Sequence, residues 1–251
     1  MKFYSCWFSP TGRTKKVADA VAEGWGGTVI PVDLFRETPE ISWTAEDLCL
    51  MAVPSYGGRI PGPVVEQIRR MKGNGARAVL IAVFGNRAID DTLLELSDEM
   101  KAAGFRCIAA MEAVAQHSLI RGFGAGRPDQ EDAAELRSFA QQIRQAVEQG
   151  TASEEVQVPG NRPYKEYHGT ALMPATACAC KQCGLCAREC PVGAISMEDC
   201  RITDPNLCIS CMHCAKICPM HARRIPRLLA VGAVKNMMDT CSGRKPNKLY
   251  L

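Results

Sequence analysis

Two short stretches with the same cysteine spacing decide how the carboxy-terminal part of the chain is built. Residues 180–191 read CKQCGLCARECP and residues 208–219 read CISCMHCAKICP. Each run offers four thiolates, which is the number that a four-iron cube takes from protein. Spacing by two residues lets one tight loop wrap the cube, and the final proline turns the chain away because it cannot continue a helix. We therefore expect two [4Fe-4S] clusters, bound by Cys180, Cys183, Cys186, Cys190, Cys208, Cys211, Cys214 and Cys218.

The spacing resembles that of bacterial two-cluster ferredoxins, in which the fourth cysteine of each run ligates the other cluster. The resemblance implies one set made of Cys180, Cys183, Cys186 and Cys218, and another made of Cys208, Cys211, Cys214 and Cys190. Zinc is disfavoured because its structural sites use pairs of C-x2-C rather than runs of four with trailing prolines. Cys178 also forms a plant-type C-x4-C-x2-C pattern with Cys183 and Cys186, but the intact repeat that begins at Cys180 argues against it.

Composition places the chain among ordinary globular proteins. It has 251 residues, 47% hydrophobic and 23% charged, which suits one large domain or two of usual size. Its 14 cysteines do not indicate a disulfide scaffold, because the chain is too long for that secreted class and the opening MKFYSCWFSP is not a signal peptide. We expect a reducing, cytoplasmic compartment, and no apolar run approaches the roughly 18 residues of a membrane span.

The charge balance gives no indication of a nucleic-acid partner. The formal net charge is +3, but that count treats the cysteines as neutral. Thiolates on two iron–sulfur clusters would bring the holoprotein near neutrality or slightly below it. No long basic run is present either, so we expect no binding to nucleic acid.

The amino-terminal half alternates strand and helix patterns. Near-continuous apolar runs predict strands at 2–8, 28–34, 48–53, 78–84 and 105–114, and helical spacing predicts helices at 15–23, near 64–71, at 88–103 and at 129–148. Alternation of this kind predicts an α/β fold, a doubly wound parallel sheet of five strands covered on both faces. Ligands of such sheets bind beyond the carboxyl ends of the strands.

The turn after the first strand reads SPTGRT, residues 9–14, and is similar to the phosphate loop of flavodoxins. Hydroxyls and free N–H groups at the start of a helix can bind a phosphate, and the helix dipole favours the anion. The resemblance therefore implies that FMN phosphate is held by Ser9, Thr11, Gly12, Arg13 and Thr14. An ordinary N-capping turn is the alternative interpretation.

The turns after the third and fourth strands would hold the flavin ring in that family. By resemblance, the first is formed by Pro54, Ser55, Tyr56, Gly57 and Gly58, with Tyr56 against the ring and the glycines allowing close approach. The second is formed by Phe84, Gly85, Asn86 and Arg87. Asn86 would bind the pyrimidine edge, while Arg87 would either stabilise the reduced ring or pair with Asp90 or Asp91. His117 follows the fifth strand and is either a flavin contact or a structural histidine.

Nearly the whole chain thus resembles the bacterial flavodoxin–ferredoxin fusion family. The implied organisation is a flavodoxin-like domain at 1–150, a linker at 151–174, a small α+β dicluster ferredoxin domain at 175–225, and a helix and tail at 226–251.

Three functions remain open at the level of sequence. The first is an electron carrier that passes electrons between two clusters and FMN, and on to an external redox partner. The second is an FMN-dependent reductase of a quinone-like molecule, which requires an open pocket near Tyr56, Asn86 and His117. The third is an iron–sulfur redox sensor. The chain has neither a nicotinamide fingerprint nor an obvious nucleophile–base pair, so no catalytic residue is assigned and the carrier is favoured.

Overall fold

A six-stranded sheet forms the centre of the amino-terminal half in the computed structural model, which describes residues 1–36, 40–170 and 172–251. Its strands are β1 (Phe3–Trp7), β2 (Val29–Asp33), β3 (Leu48–Pro54), β4 (Arg77–Phe84), β5 (Arg106–Val114) and, from the end of the chain, β8 (Lys248–Tyr250). The helices between them are α1 (Arg13–Trp25), α2 (Gly62–Arg70), α3 (Thr92–Ala102) and α4 (Gln130–Glu148). These bounds lie within a few residues of the predicted ones.

The strand order is β2-β1-β3-β4-β5-β8, and the first five strands are parallel. The order 2-1-3-4-5 is that of flavodoxin-like doubly wound sheets, so the predicted fold class is confirmed. The number of strands was wrong. β8 pairs antiparallel with β5 through Leu249 opposite Met111, which makes the sheet mixed at one edge. A strand of three residues has no periodicity that a sequence pattern can detect.

Alternate residues of each strand face opposite layers of the core. In β4, Leu80 packs in a cluster with α2 and α3, whereas Ile81 packs in a cluster with α1 and α4. Both side chains are fully buried. Burial on both faces explains why the strands read as continuous apolar runs rather than alternating ones.

The segment at 151–170, here called the strap, lies along the α/β domain. The N–H of Val156 donates to the carbonyl of Cys107 on β5 at 2.8 Å, and the Val156 side chain is buried. Further on, the N–H groups of Asn161 and Lys165 both donate to the carboxylate of Asp91, at 2.8 and 2.6 Å, where α3 begins. The strap is therefore fixed to the domain by backbone hydrogen bonds and ends over the turn that follows β3.

Residues 175–225, here called the cysteine region, contain β6 (Ala175–Thr176), α5 (Leu185–Arg188), α6 (His213–Ile217) and β7 (Arg223–Arg224). β6 and β7 pair antiparallel and bring the two ends of the region together. A single antiparallel bridge joins Ile195 and Thr203. α7 (Arg227–Cys241) follows and packs on Ile120 and Phe123 before the chain returns to the sheet.

The two cysteine runs repeat the same unusual backbone conformation. Gln182 and Ser210, each just before the second cysteine of its run, have φ of 52° and 53°. Gly184 and Met212, each just after it, have φ of 73° and 63°. Left-handed conformations in non-glycine residues cost about 1–3 kcal/mol each and cluster at functional sites. Their recurrence at matched positions indicates that both loops have the shape that a bound group requires.

None of the helices in the described ranges is long and apolar enough to cross a membrane.

Candidate cofactor sites

A central cavity of about 400 Å³ lies at the carboxyl edge of the sheet. The α/β domain contributes the turns after β3, β4 and β5 to its wall, through residues such as Tyr56, Gly85 and His117. The other walls come from later parts of the chain. The strap adds Tyr167, the second cysteine run adds Ile209 and Ser210, and α7 adds Met237. The cavity is therefore formed jointly by the α/β domain and the cysteine region.

A second space of about 520 Å³, here called the cationic cavity, lies beside the first turn. Its wall includes Thr11, Gly12 and Arg13 from that turn, and Lys216 from α6. His117 and Ser118 line both cavities, so the two spaces adjoin. An elongated ligand with an anionic end would fit this pair of cavities.

The first turn has the local geometry of an anion-binding loop. Gly12 begins α1 in a left-handed conformation, with φ of 82°. Ser9 Oγ accepts the N–H of Lys15 at 2.9 Å, and the carbonyl of Gly12 accepts the N–H of Lys16 at 3.2 Å. Within the described ranges, the N–H groups of Arg13 and Thr14 have no hydrogen-bond acceptor. Free N–H groups at a helix start are the donors that bind phosphate.

His117 is held as a neutral donor between the cavities. Its Nδ1 accepts the N–H groups of Leu119 and Ile120, at 3.2 and 3.3 Å. Burial and, to a smaller extent, the charge of Arg87 lower the pKa of His117 to about 4. Because Nδ1 is an acceptor, the proton lies on Nε2, and the ring offers one N–H to its surroundings.

The turn after β3 lines the central cavity, and its two glycines also make room for other parts of the chain. Gly57 and Gly58 both have positive φ, of 62° and 93°. A Cβ on Gly57 would collide with the ring of Tyr167, and one on Gly58 would collide with Asp90. The missing side chains thus make room for the strap and for the loop that follows β4.

Three of the residues predicted to hold the flavin ring do not line the central cavity. Phe84 is buried in the hydrophobic core, and Pro54 ends β3. Asn86 is buried and donates from Nδ2 to the carbonyls of Cys241 and Gly243, at 2.6 and 2.8 Å. The returning tail has therefore taken the hydrogen bonds that were expected to bind a flavin edge, and that interpretation of Asn86 is not supported.

The remaining predicted residues are accounted for individually. Arg87 lines the central cavity and forms an ion pair with Asp90, which is the surface pairing that the sequence left open. Ser55 accepts the hydroxyl of Thr92 at 2.7 Å and also lines the cavity. Thr14 is buried at the start of α1.

The second cysteine run lies with the last cysteine of the first. Cys190, Cys208, Cys211 and Cys214 together line one narrow, mostly apolar cavity in the cysteine region. These four cysteines are the members of one predicted crossed set. Within the described ranges, no three His, Cys, Asp or Glu side chains converge closely enough to hold a metal ion, so the cavity brings the four thiols near one another without forming a closed metal site. Burial raises the pKa of the Cys211 thiol to about 12. Without metal the thiol stays protonated, so iron must displace its proton on binding.

The second run faces the α/β domain. His213 Nδ1 donates to the carbonyl of Pro10 in the first turn at 2.8 Å, and its ring packs on Phe35 with centroids 4.4 Å apart. The thiol of Cys211 is close enough to raise the pKa of Tyr56, after the larger effect of burial. By contrast Cys183, in the middle of the first run, is exposed to solvent.

Several residues of both cavities were missed because they come from outside the three turns. Tyr167, Ile209, Lys216 and Met237 are examples. One signal was available: Tyr164 and Tyr167 lie close together in a segment read only as a linker, although the chain has just 5 tyrosines. Nothing in the sequence marked Lys216 as a cavity residue, since a lysine between the cysteines of such a run is ordinary.

Comparison with known sequences identifies the cysteine region. The family described as "4Fe-4S binding domain" matches residues 179–196 and 201–224. The first matched segment begins after Cys178, which agrees with the preferred cysteine pattern. A "Ferredoxin-like protein in nif region" from Rhizobium leguminosarum bv. trifolii is 42% identical over 57 residues, covering 20% of this chain and 89% of that protein. Its counterpart from Sinorhizobium fredii (strain NBRC 101917 / NGR234) is 37% identical over 57 residues, with the same coverage of both chains, 20% and 89%.

Solved structures were found for the α/β half. Rubredoxin oxygen:oxidoreductase of Desulfovibrio gigas has 18% identity and a TM-score of 0.44 over 61% of this chain, which spans only 37% of that protein. A flavodoxin of Streptococcus pneumonia TIGR4 has 16% identity and a TM-score of 0.40, covering 56% of this chain and 95% of its own. These scores are too low to assign the fold, which rests on the strand order. The chain joins a flavodoxin-like α/β domain to a 4Fe-4S-binding region, and through that region it belongs to the family of ferredoxin-like proteins.

Proposed function

We propose that this protein carries electrons between two [4Fe-4S] clusters and an FMN held in the adjoining cavities, and passes them to an external redox partner. One observation carries the proposal: the central cavity is walled on one side by flavodoxin-like turns and on the other by Ile209 and Ser210 of the second cysteine run. A group bound there would lie beside a cluster of the same chain.

The residues present fit FMN. The central cavity has aromatic and apolar walls, including Tyr56, Tyr167 and Leu119, which suit a flat ring system. The adjoining cationic cavity has free N–H groups and basic side chains, which suit a phosphate. When bound, FMN accepts one or two electrons and so links the one-electron chemistry of clusters to two-electron chemistry.

The contacts of the two cysteine runs support different positions for the two clusters in this proposal. The cluster held by Cys208, Cys211, Cys214 and Cys190 is the inner one, because its loop contacts the first turn and the central cavity. The cluster held by Cys180, Cys183, Cys186 and Cys218 is the outer one, because Cys183 is exposed. Electrons exchanged with a partner protein would then enter or leave through the outer cluster.

The residues that line the central cavity favour an electron carrier rather than a reductase. A reductase needs open space on the flavin for its substrate. Here Tyr167, Ile209 and Met237, from three later parts of the chain, line the same cavity as the turns, and the side-chain amide of Asn86 is hydrogen-bonded to the tail. His117 is partly exposed and presents an N–H, but its lowered pKa keeps it neutral, so it positions a ligand rather than supplying protons at neutral pH.

The framework is tested by iron and flavin analysis of anaerobically purified protein. Two clusters predict about eight irons per chain, and fewer than about seven would contradict them. One FMN per chain is expected, and its absence would contradict the flavin site. The same preparation gives the redox behaviour when a low-potential donor is added stepwise and flavin and cluster absorbance are followed separately.

Two cysteine variants test the order of the clusters. Cys211→Ser should remove the inner cluster and slow electron exchange between the remaining cluster and flavin by at least about tenfold. Cys183→Ser should remove the outer cluster and leave the exchange between inner cluster and flavin near its original rate. Cys178→Ser serves as the control, because Cys178 is exposed and stands outside both runs. Equal effects of the first two variants on that internal step would contradict the assigned order.

A further inference from the structure

We infer that Lys216, a residue of the cysteine region, forms part of the binding site for the FMN phosphate, so that flavin binding depends on the docked cysteine region. The inference rests on the proposed function and deepens it. Lys216 lies on α6, between Cys214 and Cys218 of the second run. Lys216 therefore lies outside the phosphate loop that the α/β domain provides.

The position of Lys216 is set by the contact between α6 and the first turn. Its Nζ lies 3.1 Å from where a Cβ on Gly12 would stand. Gly12 has φ of 82° and begins α1, so the ammonium group lies beside the helix start whose N–H groups are free. His213, three residues earlier on α6, fixes the same contact through its hydrogen bond to Pro10.

The charges around the cationic cavity favour an anion. Its wall carries five basic side chains and one carboxylate: Arg13, Lys15, Lys16, Arg121, Lys216 and Asp19. Asp19 is already paired with Lys15 at 2.7 Å. Across the described ranges, no carboxylate lies within 4 Å of Lys216 or Arg121. Like charges this close repel one another unless a bound anion offsets them.

A phosphate monoester is the anion that suits this site. It is doubly charged, it accepts from several N–H groups at once, and helix starts bind it well. Inorganic phosphate would satisfy the charges but not the neighbouring cavity. Because His117 and Ser118 join the two spaces, a phosphate carried on a flat aromatic group would use both.

The consequence is a binding site that is complete only when the cysteine region is folded. Cys214 on α6 is a ligand of the inner cluster in the proposed set, so losing that cluster removes the anchor on the amino-terminal side of Lys216 and loosens its contact with the first turn. FMN affinity should then fall even though every residue of the α/β domain is unchanged. Riboflavin, which lacks the phosphate, should be affected less.

The test compares FMN and riboflavin binding to the full chain with its clusters intact. Flavin is removed anaerobically, iron content is checked, and the dissociation constant of each flavin is measured by fluorescence quenching. Lys216→Gln should weaken FMN binding about tenfold and leave riboflavin binding unchanged, whereas Lys216→Arg should retain FMN binding. Competition by inorganic phosphate should weaken FMN binding to wild type more than to Lys216→Gln. Lys181→Gln is the control, since Lys181 is an exposed lysine in the first run that lines neither cavity.

The outcomes separate the two ideas. Equal FMN affinities of wild type and Lys216→Gln would overturn the role of Lys216 and leave the flavin site standing. Equal weakening of both flavins would also overturn it, because the lysine would then support the fold rather than the phosphate. A wild-type protein that binds neither flavin would overturn the proposed function itself.

Discussion

Gly57 shows how a single residue allows the strap to form part of the wall of the central cavity. It adopts φ of 62°, and a Cβ there would collide with the Tyr167 ring of the strap. The flavodoxin pattern predicted a glycine for close approach of a ligand. In this chain the close approach is made by a side chain from residues that follow the α/β domain.

We expect Gly57→Ala to destabilise the protein by about 1–3 kcal/mol, because the left-handed backbone is strained and Tyr167 must move. In thermal unfolding this corresponds to a fall of about 2–4 °C in Tm for each kcal/mol. Gly62→Ala is the matched control, since a Cβ at Gly62 meets nothing within 4 Å and α2 tolerates alanine. Equal stability of the two variants would show that the Tyr167 contact is not formed.

His117 gives a pH dependence whose direction follows from its burial. Its pKa is lowered to about 4, below the ordinary value of 6.5. Between these values the unfolded chain binds a proton that the folded chain does not, so this residue makes stability fall as pH decreases from about 6.5 towards 4. Above that window its contribution is constant.

Nuclear magnetic resonance of the ring nitrogens checks this directly. We expect His117 to remain neutral, with its proton on Nε2, from pH 8 down to about 5. The His117→Asn variant identifies the signal by its disappearance. A titration midpoint near 6.5 for that signal would mean that the two backbone N–H bonds to Nδ1 are absent.

At the scale of elements, β8 is the main feature that the sequence did not reveal. Its three residues are held by the tail that precedes them. Asn247 is buried, accepts the N–H of Val114 at 2.8 Å and donates to Glu135 at 2.6 Å. Arg127 forms a buried ion pair with Asp132 and donates to the carbonyl of Lys245 at 2.7 Å.

Asn247→Ala should therefore detach the tail and lower stability. A buried hydrogen-bonding group left without its partner costs about 1–3 kcal/mol, and the N–H of Val114 is one such group. Hydrogen exchange at Val114, read together with the free energy of unfolding, measures both effects. Asn236→Ala, at an exposed position of α7, should change stability by no more than about 0.5 kcal/mol. If the two alanine variants behave alike, the tail does not hold β5.

The elements that were predicted well from the sequence share one property, which is that their patterns are local. β3 and β4 are buried on both faces and read as unbroken apolar runs, and α4 carries an apolar stripe and a capping box at Asp129. Such patterns can be read without knowing the fold. β8 and the strap are held by polar contacts with distant partners such as Asp91 and Asp132, and no local pattern records those partners.

The same distinction applies to the candidate sites. The cysteine runs and the turn at 9–14 are contiguous, so their chemistry is visible in the sequence. The contributions of Ile209 and Lys216 depend on how the cysteine region packs on the α/β domain, and that of Tyr167 depends on how the strap packs there. Both are properties of the tertiary structure. The hydrogen bonds of Asn86 were not foreseen for a related reason: its acceptors, the carbonyls of Cys241 and Gly243, lie near the far end of the chain.

At the scale of the whole molecule, the cysteine region is an insertion between two parts of the α/β domain rather than an extension at its end. The chain leaves the α/β domain after α4 through the strap, forms the cysteine region and α7, and returns to the same sheet as β8. Both ends of the region are thus attached to one domain, and α6 contacts that domain directly through His213.

The return of β8 to the sheet affects how the rate of electron exchange between the inner cluster and the flavin should respond to ionic strength. Separate redox proteins must first collide, and charge steering makes their collision rate fall steeply as salt is added. A region tied at both ends needs no collision. We expect electron exchange between the inner cluster and the flavin to vary less than about twofold between 0.05 and 0.5 M salt in rapid-mixing experiments. Exchange with an external donor, which still requires an encounter, should change more; equal salt dependence would mean that the region undocks during turnover.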